Sequence, residues 1–253
     1  MIFYCRSIRV AMKRYMDNLA CLKLSLSGAT AAIGCLCLLT GCSRAPDDYF
    51  PLAAGKYWRY VMTYHTMDGN FKGIYAVENL GRKDEDDHAV YVRRLLDGSS
   101  DYLRINNGGI RLMARETSDG GRVELDHDIF RFPLVVDKEW QDTTNTRALI
   151  KTGPPQKTEF HISARIPVTA RIESMTDAVS VPAGNFDECM RILLKGSEFI
   201  NAGNYVGLTI VNINETDWYA PGVGLVKSVR KESTASRALD RGEIIFELES
   251  YRR

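Results

Sequence analysis

The chain has 253 residues, 45% of them hydrophobic and 26% charged, with 33 basic against 32 acidic side chains. So even a balance supplies no basic face for phosphates, which argues against a nucleic-acid partner. Leu24 to Leu39 carries no charge and follows Lys23. This run is shorter than the ~20 apolar residues of a membrane-spanning helix. It suits the apolar region of a secretory signal peptide, which has a basic segment before it and small residues at the cut.

The run ends in Leu39-Thr40-Gly41-Cys42, which resembles the bacterial lipobox. The resemblance implies cleavage between Gly41 and Cys42 and acylation of Cys42, so that residues 1–41 form a lipoprotein signal peptide and 42–49 a lipidated tether. Forty-one residues is long for such a leader, and Met12 or Met16 just upstream of Lys23 offers a start of ordinary length. Ser43, where Asp would mark inner-membrane retention, implies the outer membrane and a periplasm-facing domain. Without Arg6, Arg9, Lys13, Arg14, Lys23 and Asp17, the remainder has 28 basic against 31 acidic residues. The acyl chains on Cys42, not a basic patch, must therefore hold the membrane. The tether Ser43–Tyr49 reaches roughly 25 Å when extended, which keeps the folded part close to the bilayer. Cys5, Cys21, Cys35 and Cys37 leave with the leader, so Cys189 is the only free thiol of the mature chain and no intramolecular disulfide can form.

From Phe50 onward the pattern has period two. Trp58, Tyr60, Met62 and Tyr64 alternate with Arg59, Val61 and Thr63, and Asp68-Gly69 signals a hairpin. Asn107-Gly108-Gly109 joins the next pair. Phe160, Ile162, Ala164 and Ile166 alternate with polar neighbours and resume at Val168, Ala170 and Ile172; Ile244, Phe246 and Leu248 do so near the end. No segment carries a helical stripe. The predicted fold is all-β: a curved, mostly antiparallel sheet, half-barrel or sandwich-like, of about a dozen strands. Phe50-Pro51-Leu52 with Lys56 and Trp58 repeats as Phe132-Pro133-Leu134 with Lys138 and Trp140, so two related β-units are expected, 50–130 and 131–253, or two equivalent starts into one sheet. The stretch 151–158 is a loop within the second unit or the boundary.

The stretches "VSVPAGNFDECMRI" at 179–192 and "DWYAPGVGLVKS" at 217–228, with "FPLAAGKYW", resemble a group of bacterial secreted proteins and lipoproteins sharing VPAGxF and WYAPGVGxVK motifs in an antiparallel β domain. The resemblance implies that fold and brings no catalytic residue or cofactor. Pro182 and Gly184 suit a turn, and Ala220-Pro221-Gly222 suits a type II turn with a bulge at Val223-Gly224. Trp218 and Tyr219 either lock this turn against the sheet or, with Trp58 and Tyr60, line a surface for an acyl chain, a glycan or a partner strand.

Chemistry-bearing motifs are sparse. His161 reads as a solvated residue on the polar face of a strand and His65 ends the first strand beside a turn; His88 closes Asp84-Glu85-Asp86-Asp87, and His127 lies between Asp126 and Asp128, neither with zinc or EF-hand spacing. There is no nucleophile elbow, dinucleotide fingerprint or Walker loop. The expected protein is a membrane-anchored periplasmic lipoprotein without metal, cofactor or catalysis, acting as a binding or envelope-assembly module. Its partners are the membrane through Cys42 and an envelope protein or lipid. Two alternatives stand beside it: a carrier of a lipid or other amphiphile on a concave face, and a secreted hydrolase with paired carboxylates.

Overall fold

The computed structural model describes residues 49–85, 88–153 and 158–252. The leader, the Leu39–Cys42 motif, most of the tether, Asp86, Asp87 and residues 154–157 lie outside the described residues. The strands are β1 (Tyr57–Thr66), β2 (Gly69–Glu85), β3 (His88–Leu95), β4 (Ser100–Asn106), β5 (Gly109–Glu116), β6 (Arg122–Arg131), β7 (Glu139–Asn145), β8 (Ile150–Gly153), β9 (Thr158–His161), β10 (Arg165–Val181), β11 (Gly184–Asn201), β12 (Leu208–Ala220), β13 (Gly224–Thr234) and β14 (Arg241–Arg252). A single helical turn, α1 (Gly203–Val206), precedes β12. Twelve strands form one sheet in the order β6-β5-β4-β3-β2-β1-β14-β13-β12-β11-β10-β7; β8 and β9 pair separately. Every pairing is antiparallel, and the large sheet curls into a nearly closed barrel. The all-β expectation holds.

Alternation explains which face turns inward. On β10, Ile166, Val168, Ala170 and Ile172 are buried while Arg165, Pro167 and Arg171 are exposed. The pattern from Phe160 to Ile172 is not one strand, however. It is cut at Ile162–Ala164, where Thr146 takes over: its hydroxyl donates to Ile162 O (2.5 Å) and its N–H to Ala164 O (2.9 Å). The first hairpin turns on Met67-Asp68 rather than Asp68-Gly69, because Gly69 (φ +134°) already pairs with Thr66. The second turns on Asn107-Gly108, with Gly109 opening β5 opposite Arg131.

Ala220-Pro221-Gly222-Val223 closes with Val223 N–H donating to Ala220 O (3.2 Å) and Gly222 at φ +69°, the geometry of a type II turn. Opposite Trp218 and Tyr219 the register jumps from Lys227 to Leu225, which makes a bulge. A Cβ on Gly222 would meet nothing within 4 Å, so only backbone strain opposes substitution. Gly222→Val should therefore lose about 1–2 kcal/mol in urea unfolding; wild-type stability would contradict the turn assignment.

β1–β6 end at Arg131, one residue past the expected unit boundary, and β7–β14 follow; β1 pairs with β14, so both expected units contribute to one sheet. Each copy of the repeat ends in a tryptophan at the second position of its strand, Trp58 in β1 and Trp140 in β7, and both are buried. Tyr49, Phe50 and Leu52 insert into a core with Leu103, Phe130, Ile172 and Tyr219. The segment 146–150 lies against the inner side. There, Gly242 passes so near Ala148 O that a Cβ would clash with backbone, while Leu149 packs with Ile166, Val211, Ile213 and Leu239.

Candidate functional site

On β12, Val211, Ile213, Glu215, Asp217 and Tyr219 share the inward face; on β13 the same phase carries Val226, Ser228, Arg230 and Glu232. The barrel interior thus holds a charged layer. Arg230, 2% exposed, donates to Glu232 Oε1 (2.6 Å), Glu215 Oε2 (2.5 Å), Thr144 Oγ1 (3.1 Å) and Asn145 O (2.7 Å). Arg147 donates to both Glu215 oxygens at 3.0 Å. Glu232 also accepts the backbone N–H groups of Arg147 and Ala148 at 2.8 Å each. Buried charges survive only when paired and hydrogen-bonded, as Arg230, Glu215 and Glu232 are; Arg147, with its side chain 48% exposed, reaches the layer from its solvent side. Arg147 and Arg230 hold Glu215 below the usual carboxylate range against the opposing effect of burial.

Asp217 differs. Burial, with Glu215 two residues away on the same face, pushes its carboxyl up to about 7, and its Oδ1 is buried without a partner. It lines a cavity of about 280 Å³ together with Tyr75, Arg93, Trp140, Arg147 and Tyr219. Trp140, 5% exposed, leaves its Nε1 donor unpartnered on the same cavity. A neighbouring space of about 130 Å³ shares Phe50, Tyr75, Arg93 and Tyr219 with the first.

Arg93 projects from β3 between the two spaces. Its Nε donates to Asn79 Oδ1 (2.9 Å), its Nη2 reaches Pro51 O at 3.4 Å, and its guanidinium lies 4.2 Å from the Phe50 ring centroid and 5.3 Å from that of Trp58. Its cross-strand neighbour Asp101 is taken by Arg115, with Nε–Oδ1 at 2.6 Å and Nη2–Oδ2 at 3.0 Å. Among the described residues Arg93 has no carboxylate within ion-pair distance. Burial works against its charge and draws its pKa down.

The cavity has a side opening. The two outermost strands, β6 and β7, are not hydrogen-bonded to each other; they meet through His127 Nδ1 and Asp142 Oδ2, 2.6 Å apart. A bulge in β6, with Asp126 at φ +48°, shifts the register just before His127. Leu112, His127, Thr144 and Arg147 line both the inner cavity and an outer groove of about 320 Å³, so the seam lies between solvent and interior. A larger open groove of about 540 Å³ near His65, Lys231 and Arg241 carries no unpartnered buried polar atom among the described residues.

The four aromatic residues singled out from sequence separate here. Trp58, Tyr60 and Tyr219 all line the smaller space, but Trp58 Nε1 donates to Val223 O (2.6 Å) and Tyr60 hydroxyl to Leu225 O (3.0 Å), which spends their polar groups on the turn. Tyr219 lines both spaces. Trp218 points to the opposite face, as the next residue in a strand must; its Nε1 donates to Asp177 Oδ2 (3.0 Å), which Arg191 also contacts (2.9 Å). Trp218→Ala should cost about 2 kcal/mol by urea unfolding, since it strips a half-buried ring and a charge-assisted hydrogen bond; an unchanged midpoint would contradict the locking role. Cys189 is buried, its thiol pushed up to about 11 by burial and directed at Phe186 O (3.5 Å), so it stays protonated. Among the described residues no group of three or more His, Cys, Asp or Glu is placed to hold a metal.

Sequence reading missed Arg93, Trp140, Glu215 and Asp217 as site residues. The signal was present in phase rather than motif: Glu215 and Asp217 fall on the same alternation as Val211 and Ile213, where a solvated carboxylate would not.

No protein-family model matches this chain, and no curated protein sequence is significantly similar to it. Solved structures similar to it include a candidate lipoprotein of Parabacteroides distasonis, at 15% identity and a TM-score of 0.41, and a candidate exported protein with a YmcC-like fold from Bacteroides fragilis, at 12% identity and a TM-score of 0.36. Each alignment covers 81% of this chain and 98% of the other. Likeness this distant carries no function across.

Proposed function

We propose that this chain is a lipid-anchored lipoprotein of the bacterial envelope, facing the periplasm from the outer membrane, whose barrel binds a small ligand without transforming it. The Leu39–Cys42 motif supports the anchor. The observation that carries the binding role is the interior cavity, where Trp140 Nε1 and Asp217 Oδ1 lie buried and unpartnered. Native chains rarely leave such groups orphaned, because each costs about 1–3 kcal/mol unless something completes it. Strand addition is less well supported, since β6 and β7 face each other. An acyl-chain carrier is less well supported too, since Arg93, His127, Asp128, Arg147, Glu215 and Asp217 all reach the cavity wall.

One observation favours the hydrolase reading: Glu215 and Asp217 are a carboxylate pair in a cavity, one with a raised pKa. Glu215 is nevertheless tied to Arg147 and Arg230 by three hydrogen bonds, which commits it to the structural ion network rather than to a substrate or water. Binding is the reading we adopt.

Cys42→Ala tests the anchor. The variant should lose metabolic labelling with an alkyne fatty acid and leave the membrane fraction; a variant that stays with membranes through a high-salt wash would overturn the lipoprotein assignment.

A further inference from the structure

Resting on the reading of the barrel interior as a ligand site, the charge inventory defines what kind of ligand fits. Four carboxylates line the two spaces beside Arg93, and none forms an ion pair with it; Asp128 is held by Arg111 and Arg131. Asp101 is held by both arms of Arg115. Glu215 is divided between Arg147 and Arg230. Asp217 sits in a setting that favours its neutral form. Arg93, half-buried and hydrogen-bonded only to the neutral Asn79 and Pro51 O, is therefore an interior cation without an ion-pair partner of its own, an arrangement that a bound anion would improve.

The groups around Arg93 are donors. The hydroxyls of Tyr75 and Tyr219 line the same two spaces and make no hydrogen bond with any described residue. Trp140 Nε1 is a third donor without an acceptor. A planar guanidinium with hydroxyl and indole donors suits an oxyanion head group. Phe50, Leu112, Ile192 and Leu194 supply the apolar remainder of the wall.

We propose that the interior binds a small organic oxyanion, a carboxylate or phosphate ester, with its head on Arg93, Tyr75 and Tyr219 and its body beside Trp140, admitted through the β6–β7 seam. Neutral amphiphiles are disfavoured relative to anions because they bring Arg93 no counter-charge, the device by which buried polar sites discriminate.

The test uses the full-length chain, extracted from membranes in a non-ionic detergent, with benzoate, phenylphosphonate and benzyl alcohol as probes. Binding is read by the thermal midpoint and by tryptophan fluorescence. Benzoate or phenylphosphonate should bind at least tenfold more tightly than benzyl alcohol, and the preference between the two oxyanions separates a carboxylate ligand from a phosphate one. Tyr75→Phe and Tyr219→Phe, which remove only a hydroxyl, should each weaken oxyanion binding about threefold to tenfold. Arg93→Lys should weaken it further. Should the alcohol bind as well as the oxyanions, the anionic class is wrong while the interior site stands. Should the oxyanions bind unchanged in all three variants, the placement on Arg93 is wrong. If no probe binds the folded chain, the interior site itself fails and this inference with it.

Discussion

Glu232→Ala should be the most damaging single substitution in the barrel, lowering stability by about 3–5 kcal/mol. Glu232 is 1% exposed and compensates Arg230 while accepting the backbone N–H groups of Arg147 and Ala148. Its removal leaves Arg230 sharing Glu215 with Arg147, two cations on one carboxylate, and takes the acceptor from the buried Ala148 N–H and the partly buried Arg147 N–H. It also releases the segment that packs against Gly242. A double-mutant cycle separates these effects. Adding Arg230→Met to Glu232→Ala restores charge balance around Glu215, so the double variant should recover about 1–3 kcal/mol of the loss. Strictly additive losses in urea unfolding would mean that the two residues do not share one network.

Asp217→Asn should act in the opposite direction and only at higher pH. The folded carboxyl titrates near 7 instead of 3.8 because it is buried and faces Glu215, with the Ser228 hydroxyl, Arg147 and Arg230 opposing. A raised carboxyl pKa means that the folded chain binds the extra proton between about pH 4 and 7. The associated stability is present in full below about pH 4 and is lost as pH rises through 7. Above pH 7 Asp217 must be buried charged, at a cost of about 2–4 kcal/mol. The asparagine variant escapes this cost: it should match the wild type within about 1 kcal/mol at pH 5 and exceed it by about 2–4 kcal/mol at pH 8. Parallel stability profiles for the two proteins would show that Asp217 is ionised throughout.

Much of the fold is legible in the sequence because a strand with one buried face has a period that survives any context. Ile244 and Leu248 on β14 and Ile166 to Ile172 on β10 announce themselves in this way, and the glycine of Ala220-Pro221-Gly222 marks its turn by the positive φ only glycine takes without strain. Long-range choices are not written locally. That Asp101 goes to Arg115 and not to Arg93 depends on which residues oppose each other across β3, β4 and β5, where bulges shift the register. That β6 meets β7 depends on closure of the whole sheet, so nothing near His127 or Asp142 reveals the seam. Trp218 and Tyr219, adjacent in sequence and grouped as one surface, are parted by the pleat. Glu215 and Asp217 carry no motif of their own; only their phase with Val211 and Ile213 marks them as inward-facing.

The central claim is that the barrel interior is a ligand site, and native mass spectrometry of the full-length chain released from non-ionic detergent tests it most directly. The expected spectrum shows a small co-purifying mass, or one-to-one uptake of added benzoate or phenylphosphonate, that is reduced in the Arg93→Lys variant. A bare chain mass at every probe concentration, from protein shown to be folded, would contradict the claim.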